Sequence, residues 1–130
     1  MTGDTGTWVI IALQVIGAAG FVGFWVTWFR TPHDQEWLPE GYHDHEAPFV
    51  WSDSMLVGLL IASASLLAFE QPLGESLALV AGGALLFLGV LDTAYFARTG
   101  MFAREREGFW NAAVVIGVLT LGIVLVVRFA

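Results

Sequence analysis

The sequence predicts an all-α membrane protein with four transmembrane helices in an up-down bundle. Hydrophobic residues make up 57% of the chain and charged residues only 13%, whereas soluble domains average about 25% charged residues. The charged residues are also segregated, which leaves four long apolar runs. A chain this apolar needs lipid to solvate its surface, and its 130 residues form a single domain.

The apolar runs are long enough to cross a bilayer, because a hydrocarbon core of about 30 Å requires about 20 helical residues. The predicted spans are residues 7–29, 50–69, 76–97 and 109–127. Near the ends of the first span lie Trp8, Trp25 and Trp28, and indole rings favour the membrane interface. The turn between the second and third spans is short, so these two spans are expected to be antiparallel neighbours.

A polar loop, residues 30–49, separates the first two spans and contains all three histidines. Pro32, Pro39, Gly41 and Pro48 break regular structure there. We therefore expect an irregular segment that lies on the lipid headgroups.

An internal repeat is also predicted. Shifting the chain by 66 positions aligns Gly17 with Gly83 and Gly23 with Gly89, which suggests two helix–loop–helix halves inserted in the same sense. Small residues four apart favour close helix packing in lipid. The pairs with this spacing are Ala19–Gly23, Gly58–Ala62, Ala78–Gly82 and Ala113–Gly117.

The arginines predict the orientation in the membrane. Arg30, Arg98, Arg104 and Arg106 fall on the face of the 30–49 loop and the 98–108 turn, and only Arg128 falls on the other face. Because cytoplasmic loops are enriched in Arg and Lys, we expect the loop and the turn to be cytoplasmic and both termini to be outside the cell membrane.

Asp92 is the sharpest candidate for a functional residue, since charged residues inside spans are costly and usually face a bundle interior or water. It lies about 8 Å from the predicted end of its span. Asn111 enters the next span at a similar depth, and Tyr95 and Arg98 follow Asp92. Two interpretations stay open: a structural Asp92 contact with Asn111 or Arg98, or a carboxylate that responds to protons or cations.

Asp53 and Arg30 are further candidates for a ligand or ion site at the loop face. His43, His45 and His33, with oxygen donors from Asp44 and Glu46, offer ligands for a divalent metal, although a solvated interfacial loop is the favoured explanation of this pattern. No cysteine is present, and the net charge of −7 argues against nucleic acid as a partner. The sequence identifies neither a substrate nor a cofactor.

Three functions fit these features. The first is a small binding or transport unit that works as a homo-oligomer, because four spans enclose little space. The second is a non-catalytic accessory subunit of a larger membrane complex. The third is a lipid-phase enzyme that uses Asp92, Asp53 or a histidine as general acid–base. Since no nucleophile has an evident base beside it, we favour a non-enzymatic function.

Overall fold

A computed structural model describes residues 4–130, which form helices joined by turns and contain no strand. The helices are α1 (Thr5–Arg30), α2 (Tyr42–Glu46), α3 (Phe49–Ala68), α4 (Leu73–Thr99) and α5 (Gly108–Phe129), with a 3₁₀ turn at Arg104–Arg106. The prediction of an all-helical chain is confirmed.

Four helical stretches are long and apolar enough to cross a membrane: Thr5–Arg30, Tyr42–Ala68, Leu73–Thr99 and Gly108–Phe129. Large apolar side chains lie on their outer surfaces, and Phe87 and Val127 are 73% and 77% exposed. Soluble monomers rarely expose apolar surface on this scale. The helices therefore have the length and the surface of membrane spans.

The observed helix ends lie within a few residues of the predicted ones and have local causes. At the start of α1, the Asp4 carboxylate accepts a hydrogen bond from the Thr7 amide at 2.6 Å, which caps the helix. Gly100, with a φ of 72°, ends α4 in the left-handed conformation that glycine adopts most easily.

The expectation of an irregular 30–49 loop is wrong for its last part, where α2 forms. Ala47 (φ −53°, ψ −42°) and Pro48 (φ −65°, ψ −22°) both keep right-handed helical angles. Pro48 precedes α3, where a missing N–H costs little. As a result, α2 runs almost continuously into α3.

Helices that follow one another along the chain pack together, α1 against α3, α3 against α4 and α4 against α5. The centre of the core is formed by Leu60, Leu67, Leu85 and Leu125, which are completely buried. Between α4 and α5 the backbones come close: a Cβ atom at Gly82 would lie 3.2 Å from the Gly122 carbonyl oxygen. Glycine is what permits this approach.

Of the predicted small-residue pairs, Ala78–Gly82 lies at this buried contact. The glycines of the other three pairs, Gly23, Gly58 and Gly117, have no atom within 4 Å of the position that a Cβ atom would occupy.

The glycines matched by the internal repeat differ in their surroundings, since Gly17 faces Leu121 whereas Gly83 faces open space. The repeat stays a prediction.

The 30–49 loop and the 98–108 turn meet at one end of the bundle, which we call the loop end. Trp37, Leu38 and Tyr42 pack there against a cluster formed by Phe96, Met101 and Val115. The polar segments expected to share a face are thus in contact, and they bring side chains from α1, α2, α3 and α4 together.

Candidate functional site: a buried carboxyl cluster

Three carboxyl residues on three different helices lie at the loop end: Glu46 of α2, Asp53 of α3 and Asp92 of α4. Glu46 and Asp53 are only 7% and 6% exposed, and Asp92 is half-buried. Together they concentrate negative charge at this end of the bundle. Within residues 4–130, none of the three forms an ion pair. We call these residues the carboxyl cluster.

Asp53 is fixed by a contact between α1 and α3. The indole Nε1 of Trp25 donates a hydrogen bond to Asp53 Oδ2 at 2.9 Å, and Trp25 is itself buried. The other carboxylate oxygen, Oδ1, is buried and has no hydrogen-bond partner. Asp53 is therefore held in place while half of its hydrogen-bonding capacity is unused.

His45 and Tyr95 join α2 to α4 beside the cluster. Their rings stack with centroids 3.8 Å apart and an interplanar angle of 6°. His45 Nε2 and the Tyr95 hydroxyl are both buried without a hydrogen-bond partner. Tyr95, a predicted site residue, thus lies at the site and packs on a histidine that is adjacent in the chain to Glu46.

The other two histidines lie elsewhere, on the indole ring of Trp28. Ring centroids of His33 and His43 are 4.4 and 4.8 Å from that of Trp28. The metal site considered at His33, His43 and His45 stays a prediction: the His33 and His43 rings lie 5.7 Å apart, whereas His45 stacks on Tyr95. In the part of the chain that the structure describes, no group of three or more His, Asp or Glu side chains is arranged to hold a metal ion.

Asn111 does not bind Asp92, contrary to one of the sequence interpretations. Its side-chain Nδ2 donates instead to the carbonyl oxygens of Met101 at 2.8 Å and Arg106 at 3.2 Å. The reason is the 100–107 turn, which folds back over the start of α5 and presents these carbonyl groups. Asn111 therefore anchors the turn and does not belong to the carboxyl cluster.

The predicted arginines also lie outside the cluster, since Arg30 and Arg98 are exposed. Arg106 donates to the Thr99 carbonyl oxygen at 2.8 Å and so stabilises the end of α4. Among residues 4–130, the one ion pair formed by an arginine joins Arg128 to Asp4 at the opposite end of the bundle. No arginine compensates the charges of the carboxyl cluster.

Glu46 is the member that the sequence groups only with the histidines, as a candidate metal donor, and not with Asp53 and Asp92, because the pattern predicts an irregular loop there. One signal was available. Glu46 and Asp53 are seven residues apart, and in a continuous helix this spacing puts two side chains on one face. Because α2 runs almost continuously into α3, this rule applies to Glu46 and Asp53.

Comparison with known proteins finds no family model, no curated protein and no solved structure that matches this chain. The chemistry of the site therefore rests on its residues. Buried carboxyl groups without counter-charges can accept protons, and their oxygen atoms are also suitable partners for cations.

Proposed function

We propose that this chain is a small multi-pass membrane protein that binds a proton or another monovalent cation at the carboxyl cluster and carries it across the membrane. The observation that carries the proposal is the presence of Glu46, Asp53 and Asp92 at one end of the bundle in an apolar setting, without an ion-paired partner among the described residues.

A bound ligand accounts for the carboxyl cluster better than a purely structural role does. Burying a charge is costly unless it is paired, and carboxylates that lie close together also repel one another. A bound proton or cation offsets both costs at once. The structural alternative for Asp92 required a contact with Asn111 or Arg98, but Asn111 bonds to the turn and Arg98 is exposed.

The arrangement in the membrane belongs to the same proposal. The four spans would form an up-down bundle with the loop end in the cytoplasm and both termini outside, as the arginine distribution favours. Because four helices enclose little space, a homo-oligomer would complete the pathway between copies. The carboxyl cluster would then open toward the cytoplasmic side.

The test is a flux measurement on the full chain in liposomes that contain a pH-sensitive dye. Proton, Na⁺ and K⁺ gradients are imposed in turn, and the internal pH is followed for wild type and Asp92→Asn. We expect at least one gradient to change the internal pH faster than in protein-free liposomes, and Asp92→Asn to slow that change at least about tenfold.

The matched control is Glu105→Gln, which removes one exposed acid from the same end of the bundle and should leave the rate unchanged. Wild-type flux equal to that of protein-free liposomes would overturn the proposal, as would full flux in Asp92→Asn. If flux is absent and the protein co-purifies with a fixed partner, the accessory-subunit function is supported instead.

A further inference from the structure

A groove on the lipid-facing side of the bundle leads to one member of the carboxyl cluster. It lies between α1 and α3, has a volume of about 340 Å³, and is lined by Phe21, Val22, Trp25, Asp53 and Val57, among others. Val22 is 50% exposed on its wall. The groove therefore opens toward the space that lipid chains occupy.

The polar group that sets this groove apart is Asp53. Its Oδ2 accepts from Trp25, whereas its buried Oδ1 has no partner. The other polar residue of the lining, Ser54, uses its hydroxyl to donate to the Val50 carbonyl oxygen. The groove thus combines apolar and aromatic walls with one incompletely satisfied carboxyl group.

These features restrict the class of ligand. A neutral lipid chain would pack against the walls but leave the carboxylate as a buried charge without a partner, which is energetically costly. A hydrated inorganic ion would match the carboxylate but not the apolar walls. A cation with apolar substituents satisfies both, because its charge can lie beside Asp53 and near the face of Trp25, where cation–π attraction adds to binding.

The geometry points to a lipophilic organic cation, such as a quaternary ammonium or phosphonium compound, that enters this groove sideways from the bilayer and binds at Asp53. The volume is within the range of about 300–1,000 Å³ that small-molecule sites occupy. The inference rests on the proposed function, since it names the kind of cation that the carboxyl cluster accepts.

Tetraphenylphosphonium is the probe, with the full chain in lipid nanodiscs and binding measured by equilibrium dialysis against empty nanodiscs. We expect saturable binding to wild type and a Kd at least about tenfold higher in Asp53→Asn. The asparagine keeps an oxygen acceptor for Trp25, so the contact between α1 and α3 is retained. Asp44→Asn, at an exposed loop position, should stay within about twofold of wild type.

A second pair of variants tests the groove without touching a charge. Val22→Trp fills the groove and should weaken binding, whereas Ile116→Trp adds the same bulk at an exposed position of α5 and should not. Benzyltrimethylammonium should compete with the probe, and its uncharged isostere neopentylbenzene should not.

The inference is overturned if wild type binds no more probe than empty nanodiscs, if Asp53→Asn and Val22→Trp both bind like wild type, or if the neutral isostere competes as well as the ammonium. In that last case the groove takes lipid chains. Lack of probe binding together with intact Asp92-dependent flux would remove this inference alone. Probe binding without flux would remove the proposed function and keep the Asp53 site.

Discussion

The two ends of the bundle treat buried polar groups in opposite ways. At the end formed by the turn between α3 and α4, which we call the turn end, the fully buried Ser63 donates to the Gly74 carbonyl oxygen at 2.7 Å. Asp4 and Arg128 form an ion pair at 3.7 Å near the same end. At the loop end, the carboxyl cluster accepts one hydrogen bond, from Trp25 to Asp53, and has no ion pair among the described residues.

This difference indicates which end is arranged for stability and which for binding. Unpaired buried polar groups lower stability, and natural proteins retain them mainly where function requires them. Gln14 shows that polarity alone is not the criterion: in the half of α1 nearer the turn end, its amide group is also buried without a partner. What is confined to the loop end is a group of buried acids.

The largest effect we expect is at Gly108, which allows the loop end to close. A Cβ atom at this position would overlap the carbonyl oxygen of Phe102, so Gly108→Ala must displace the turn that covers the start of α5. We expect a loss of about 3 kcal/mol or more in the free energy of unfolding, measured by SDS-induced unfolding in mixed micelles.

The control for that measurement is Gly117→Ala in the same helix, where a Cβ atom meets nothing within 4 Å. It should unfold at the same SDS fraction as wild type or at a slightly higher one. If Gly108→Ala unfolds at the same SDS fraction as wild type, the turn does not pack over α5 as described.

Ser63→Ala tests the turn end. The substitution removes a buried hydrogen bond to the Gly74 carbonyl oxygen, and we expect a loss of about 1 kcal/mol in the same SDS assay. Ser65→Ala changes an exposed serine of the same helix and should have no measurable effect. A stabilised Ser63→Ala would contradict the view that the turn end is arranged for stability.

The smallest effect is expected at Asp4, which is exposed. A hydrogen bond from the Thr7 backbone amide, with help from the Arg128 charge, holds the pKa of Asp4 below its ordinary value of 3.8. A lowered folded-state pKa means that the stabilisation is present above the ordinary value and is lost as the pH falls through the folded-state value.

Melting curves of wild type and Asp4→Asn, recorded at pH 7 and at successively lower pH, check this sign. Wild type should have the slightly higher Tm at pH 7, and the difference should shrink below pH 3.8. A difference that grows on acidification would exclude the charged form of Asp4 as the source.

The sequence predicts the four long helices better than it predicts the candidate site. The four spans follow from apolar length, because a bilayer sets the number of residues a helix needs. The sequence also indicates Asp53, Asp92 and Tyr95 as candidates, since polar groups within or beside an apolar run are conspicuous, and the structure places all three at the loop end. These features depend on one segment at a time.

The failures concern contacts between segments. Asn111 bonds to Met101 and Arg106 because the turn folds back, and nothing in the spacing of Asp92 and Asn111 predicts that path. The sequence places Glu46 in the loop with the histidines and not with Asp53, because Pro48 suggests a break where the chain stays helical. Proximity in sequence groups the three histidines, but only His33 and His43 lie together, on Trp28, and His45 stacks on Tyr95.

The most direct test of the central claim, that uncompensated carboxyl groups lie together at the loop end, is a double-mutant cycle between Glu46→Gln and Asp92→Asn. The free energy of unfolding is measured for wild type, both single variants and the double variant at alkaline pH and without added metal cations, where the carboxyl groups have released their protons. If the two carboxylates repel, each single variant is more stable than wild type, and the second substitution adds less than the first. The account would be contradicted if the stability change of the double variant equalled the sum of the two single changes within about 0.5 kcal/mol. It would also be contradicted if the single variants were less stable than wild type.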